Sequence, residues 1–259
     1  MQDMQLMNFV NNCKSEERMV GHTAIRAEKF PSGVSAEAKL ARKEALVELK
    51  KLEKFIGSTG EYKHMVVCGI GGSYLGALAI SKALKGLHKT NRTLHFASNI
   101  DPDKIATILE EIDLKKTIVA VISKSGGTME IKAQEIMLKK HFLAKGLDPK
   151  EHFVMVTGKG SPMDNPIAYR DIFYMWDFIG GRYSVSSMVG GVPVAFMCGM
   201  DVWSDFLKGA SDMDHHSLHE KDVIKNMPLM GAMLGIWNRN FLDMDTFCIV
   251  PYSSSLDLW

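Results

Sequence analysis

The chain has 259 residues, enough to bury a large core, and its 31 basic side chains against 30 acidic ones leave a formal net charge of +1. That balance excludes a global field for nucleic acid or an anionic membrane, so any anion site must be local. With 46% hydrophobic and 24% charged residues, the composition is that of a globular protein and not of a disordered or fibrous chain.

The start, MQDMQLMNFV, lacks a basic region followed by a long apolar core, and no apolar run approaches the roughly 18 residues of a membrane span. The expectation is a soluble, cytoplasmic protein with neither nucleic acid nor membrane as partner. Cys13, Cys68, Cys198 and Cys248 form no CxxC pair, which suits reduced, buried thiols better than disulfides or zinc.

After a polar beginning, SAEAKLARKEALVELKKLEKFI (35–56) places apolar residues at helical spacing and predicts an amphipathic surface helix. From residue 64 short β-rich runs alternate with helical segments: HMVVCGI, YLGALAISKALKGL, TLHFASN, PDKIATILEEI, TIVAVIS, GTMEIKAQEIMLKKHFLAKG and HFVMVTG. Continuous apolar strands between helices predict a doubly wound α/β fold, a parallel sheet flanked by helices on both faces. The division expected is a helical segment at 1–59, a sheet domain at 60–200 and a helical extension at 201–259. The extension contains DVWSDFLKGASDMDHHSLHE, PLMGAMLGIWNRNFLD and a strand-like TFCIVPY.

In such sheets ligands bind beyond the carboxyl ends of the strands, so the loops after residues 70, 99, 123 and 158 are the informative ones. GIGGSYLG (69–76) stands at a strand-to-helix junction, where backbone N–H groups and the positive helix end converge. Glycine removes the Cβ that would keep an anion away, and Ser73 adds a hydroxyl. The P-loop pattern is absent, and GxGxxG fails because Tyr74 takes its last glycine position.

SKSGGTMEI (123–131) repeats the logic: Ser123, Ser125 and Thr128 supply hydroxyls, Gly126 and Gly127 free the backbone, and the amide of Lys124 matters more than its ammonium group. Singly, such clusters more often cap helices. Together on one sheet edge they predict a phosphate site, and without an acidic metal motif a phosphomonoester is preferred to a nucleoside triphosphate. In DFIGGRYSVSSMVGGVPVAFMCG (177–199), Arg182 follows two glycines in a turn suited to stabilising negative charge. His215 and His219 lie four apart, but no third ligand is visible, so a solvated helix face is expected and no metal. The 18 methionines read as core filler.

GIGGSYLG, SKSGGTMEI and GGRYS, in this order, closely resemble the phosphoglucose isomerase (glucose-6-phosphate isomerase) family and its sugar isomerase, or SIS, domain, a flavodoxin-like arrangement. MLGIWNRNFLD, CIVPYS and HTAIR strengthen the resemblance, which runs from about residue 22 to 252. It implies that Gly72, Ser73, Ser123, Lys124, Ser125 and Thr128 surround a sugar phosphate, with Gly72 and Lys124 contributing mainly backbone, and that Arg182 steadies an enediolate. The implied reaction interconverts glucose 6-phosphate and fructose 6-phosphate, in glycolysis and gluconeogenesis, with no cofactor and with a homodimer as the intact assembly.

The family's catalytic glutamate, ring-opening histidine and a further lysine belong to segments absent before Trp259. The expectation is therefore an N-terminal fragment that holds phosphate but does not turn over alone, with apolar surface exposed where a second half would sit. Two alternatives are a phosphosugar-sensing regulator, which would bring a helix-turn-helix region, and an amino-sugar phosphate enzyme, which would need an N-terminal catalytic cysteine. Neither feature is found.

Overall fold

The computed structural model describes residues 16–30, 34–86, 88 and 90–258. Cys13 and the first ten residues lie outside them. Among the described residues five strands, β1 (His64–Cys68), β2 (Thr93–Ala97), β3 (Thr117–Ser123), β4 (Phe153–Gly158) and β5 (Asp171–Met175), form one all-parallel sheet in the order β2-β1-β3-β4-β5. β5, the DIFYM edge strand, was not expected from the sequence pattern. The register pairs Cys68 with Ala97 on one side and with Val121 on the other. From β1 the chain steps to β2 on one side, then crosses back past β1 to β3 and continues outward, which makes the β1/β3 boundary the switch point of the sheet.

The described residues include eight α-helices: α1 (Ala36–Gly57), α2 (Gly72–Leu84), α3 (Pro102–Glu111), α4 (Met129–Ala144), α5 (Pro149–His152), α6 (Met188–Cys198), α7 (Met200–His219) and α8 (Met227–Leu242). Alternation along the strands sends Met65, Val67, Ile118 and Ala120 to one face, where Leu52 and Phe55 of α1, Val192 and Phe196 of α6 and Trp203 of α7 cover them. Val66, Cys68, Val119 and Val121 face the other way, against Ile105 and Ile108 of α3 and Leu138 and Phe142 of α4. Sheet residues buried on both sides explain the unbroken apolar runs. α1 starts at Ser35, whose side chain accepts from the Ala38 amide, and it buries Ala38, Ala41, Ala45, Leu52 and Phe55 along one stripe.

Two expectations fail at the C-terminal end. TFCIVPY forms no strand: residues 243–250 have no regular structure, and Phe247 and Val250 are 86% and 70% exposed. An apolar, β-branched run becomes a strand only when another strand satisfies its backbone, and none lies alongside it among the described residues. Buried thiols hold for Cys68, half for Cys198, and fail for Cys248, which sits exposed in that run. α8 likewise buries none of its residues, and the exposed rings of Trp237 and Phe241 lie tilted against each other, 4.5 Å between centroids. No described helix is long and apolar enough to cross a membrane.

Candidate phosphate-binding cleft at the sheet switch point

Because β1 and β3 are neighbours, the loops that follow them open side by side. Ser73, Ser123, Lys124, Ser125 and Thr128, with Ile70, Ile122 and Ile131, line one cleft of about 200 Å³. Five of the seven residues expected from the sequence therefore meet in one place. Of the other two, Gly72 borders the cleft through Ser73, and Arg182 lies exposed on a short 3-10 turn, Gly181–Ser186, that abuts Gly72.

The helices entering this cleft differ from most of their neighbours. Ser35, Asp101, Asp148, Ser187 and Asn226 cap α1, α3, α5, α6 and α8 with side-chain acceptors. Gly71 and Thr128, the caps of α2 and α4, accept no such bond. First-turn amides without a side-chain acceptor, beside a cluster of hydroxyls, are the arrangement an anion requires. Ser73 lies within α2's first turn and does not cap it. The hydroxyls of Ser123 and Thr128 stand 3.1 Å apart, and Ser125 Oγ accepts from the Gly127 amide at 3.2 Å.

Glycine is demanded at two of these positions. A Cβ on Gly72 would stand 2.1 Å from the carbonyl oxygen of Gly181, so backbone meets backbone there. Gly126 has φ +60°, and a Cβ on it would stand 2.6 Å from Ser161 Oγ. The loop after β4 therefore backs the second cradle from behind. The loop after β2 also stays out of the cleft, with the Asn99 carbonyl accepting from Gln134. Of the four loops expected to be informative, two line the site.

Lys124 turns its ammonium away from the cleft, donating to the carbonyls of Asp177 at 3.0 Å and Ile179 at 3.2 Å. The charge thus ties the second loop to the stretch that carries Arg182. Ser184 Oγ joins the same stretch to the first loop, donating to Gly181 O at 2.7 Å and approaching Gly72 O at 3.3 Å.

A network beside the Arg182 turn has no counterpart in the sequence reading, although HTAIR was singled out there. Arg26 donates from Nε to Asp214 Oδ2 at 2.6 Å, from Nη2 to Asp214 Oδ1 at 2.8 Å and from Nη1 to Ser186 Oγ at 3.0 Å. Its Nη1 also lies 3.2 Å from His22 Nδ1. Arginine only donates, so Nδ1 accepts and the neutral ring carries its proton on Nε2. Burial, and then the Arg26 charge, lower the His22 pKa from 6.5 to about 4. The His22 ring stacks on Tyr183, 5.0 Å between centroids and 7° from parallel. A histidine and an arginine four apart were the available signal; their partner 188 residues later was not.

His215 and His219 stack on each other at 4.0 Å, and no group of three metal-ligating side chains occurs among the described residues.

The phosphoglucose isomerase family model matches residues 4–259. A glucose-6-phosphate isomerase of Protochlamydia amoebophila is 45% identical over 260 residues, covering 99% of this chain and 48% of that protein. One of Chlamydia caviae is 43% identical over 258 residues, covering 99% and 49%. The crystal structure of a glucose-6-phosphate isomerase from Chlamydia trachomatis superposes with a TM-score of 0.87 at 42% identity, covering 92% of this chain and 46% of that one. A hypothetical protein of Thermus thermophilus shares the fold, with a TM-score of 0.72 at 23% identity. The chain spans about half the length of the curated relatives it matches. The chain belongs to the phosphoglucose isomerase family.

Proposed function

We propose that this chain holds the phosphate of a sugar phosphate in the β1/β3 cleft, as part of an enzyme that interconverts glucose 6-phosphate and fructose 6-phosphate. The observation that carries the reading is the junction of two hydroxyl-rich loops and two helix starts without side-chain caps at the switch point. Ser73, Ser123, Ser125 and Thr128 donate hydroxyls to the phosphate oxygens, and Gly72 and Lys124 offer amides. Residues 60–200 form the phosphosugar-binding domain, flanked by 1–59 and by the extension 201–259.

Isomerisation moves a proton between adjacent carbons through an enediolate, so it needs a base and a group that stabilises negative charge. The phosphate grip supplies binding energy remote from the reacting carbons. Arg182, exposed on a turn packed against Gly72, is the charge stabiliser. The base comes from outside these 259 residues, which span about half the length of the relatives, so the chain alone binds without turning over. The chemistry is proton transfer and requires no metal or organic cofactor; the intact enzyme works as a cytoplasmic homodimer.

The test is thermal melting with inorganic phosphate and with glucose 6-phosphate. A ligand at 100 times its dissociation constant adds about 2.7 kcal/mol, or roughly 5–10 °C for a chain of this size. No shift with either ligand refutes the cleft assignment, and measurable conversion of glucose 6-phosphate by the purified chain refutes its inactivity.

A further inference from the structure

Resting on that reading of Arg182, we propose that Arg26 is a positioning residue that sets the pose of the Arg182 turn through Ser186, while Asp214 holds Arg26 in place. The turn Gly181–Ser186 is fastened at both ends. At its start, the Gly181 carbonyl presses so closely on Gly72 that no Cβ fits on Gly72, and Ser184 bonds back to the Gly181 carbonyl. At its far end, Ser186 Oγ accepts from Arg26, whose side chain is 11% exposed. Between the two anchors stand Arg182 and Tyr183, and the stacking of Tyr183 on His22 restrains the middle of the turn from the same segment, Glu16–Arg26.

The chemistry of the clasp fits a positioning role better than simple surface pairing. Arg26 uses its planar fork on both oxygens of Asp214 and still has Nη1 left for Ser186 and His22. Three elements distant in sequence therefore converge on one guanidinium: the N-terminal segment, the turn and α7. Lysine keeps the charge but cannot hold two carboxylate oxygens and a hydroxyl in one plane. Arg26→Lys therefore separates geometry from charge.

Two measurements decide it. Hydrogen exchange of the amides of Tyr183 and Ser187, which bond to Gly180 O at 3.0 Å and Ser184 O at 2.9 Å, reads the turn without any ligand. In Arg26→Lys these amides should exchange about tenfold faster or more, while β3 amides from Ile118 to Ile122 keep their protection. Calorimetry then compares inorganic phosphate with a sugar-acid phosphate, whose planar carboxylate carries the charge of an enediolate. Arg26→Lys should weaken the sugar acid about tenfold, leave inorganic phosphate unchanged, and add nothing in an Arg182→Ala background. Asp214→Asn should reproduce the pattern. Unchanged exchange at Tyr183 and Ser187, an equal rise throughout the sheet, or additivity with Arg182→Ala overturns the proposal. If the parent chain binds neither phosphate compound, the proposed function fails, and the exchange measurement still decides whether Arg26 sets the turn.

Discussion

Replacing Gly72 by alanine is the sharpest perturbation of the contact between the loop after β1 and the Arg182 turn. The added Cβ would lie 2.1 Å from the Gly181 carbonyl oxygen and 2.2 Å from its carbon. Both atoms are backbone, so no rotamer change relieves the clash, and the turn must retreat by about 1 Å to reach ordinary contact. Such overpacking costs about 1–3 kcal/mol. The same retreat stretches the approach of Ser184 Oγ to Gly72 O beyond its present 3.3 Å. At about 2–4 °C per kcal/mol, the melting temperature should fall by roughly 2–12 °C. Phosphate affinity should fall with it, since Ser73 is the next residue. Urea denaturation gives the free energy and calorimetry with inorganic phosphate the affinity. A Gly72→Ala chain that melts within a degree of the parent and binds phosphate equally well would refute the close approach.

The opposite outcome is expected for Gly209→Ala: this glycine is exposed inside α7, a Cβ on it meets nothing within 4 Å, and the gain should be about 0.5–1 kcal/mol by urea denaturation. Leu52→Ala opens the fully buried contact between α1 and the sheet, and a loss of about 2–5 kcal/mol is expected in the same assay. Ser73→Ala should weaken inorganic phosphate by about fivefold to tenfold in calorimetry with the melting temperature nearly unchanged, because the hydroxyl lines the cleft and does not cap α2. His22 gives a pH dependence: its pKa is about 4 in the folded chain against 6.5 ordinarily, so the unfolded chain binds more protons between those values. The contribution of neutral His22 is complete above pH 6.5 and is lost as pH falls towards 4. A shift of that size corresponds to at most about 3 kcal/mol, and solvent screening of the partly exposed ring reduces it to about 1–2 kcal/mol. Glu48 and Asp171, whose pKa values burial raises, oppose this trend, so the measure is the parent minus His22→Gln difference in unfolding free energy at pH 7 and at pH 5. An equal difference at the two pH values would count against the neutral, Arg26-bound ring.

Local chemistry made much of this protein legible in its residues. Unbroken runs such as TIVAVIS announced strands buried on both faces, and the apolar spacing of 35–56 announced α1, because each depends on neighbours a few positions away; the glycines and hydroxyls after β1 and β3 marked the loops that line the cleft. Whether those two cradles share one ligand depends on strand order, which only the sheet decides: β1 pairs with β3, and 200 Å³ opens between their loops. The residues around Lys124 suggested that its amide counts for more than its ammonium, but only the fold shows where the ammonium goes, to the carbonyls of Asp177 and Ile179. TFCIVPY reads as a strand but stays irregular, since strand formation needs a partner's backbone as well as apolar residues. The clasp of Arg26 on Asp214 and Ser186 joins residues 188 and 160 positions apart, a separation at which sequence carries no geometric signal. Sequence alone thus determined which groups could hold an anion, while the fold decided which of them face one another and which side chains converge on the Arg182 turn.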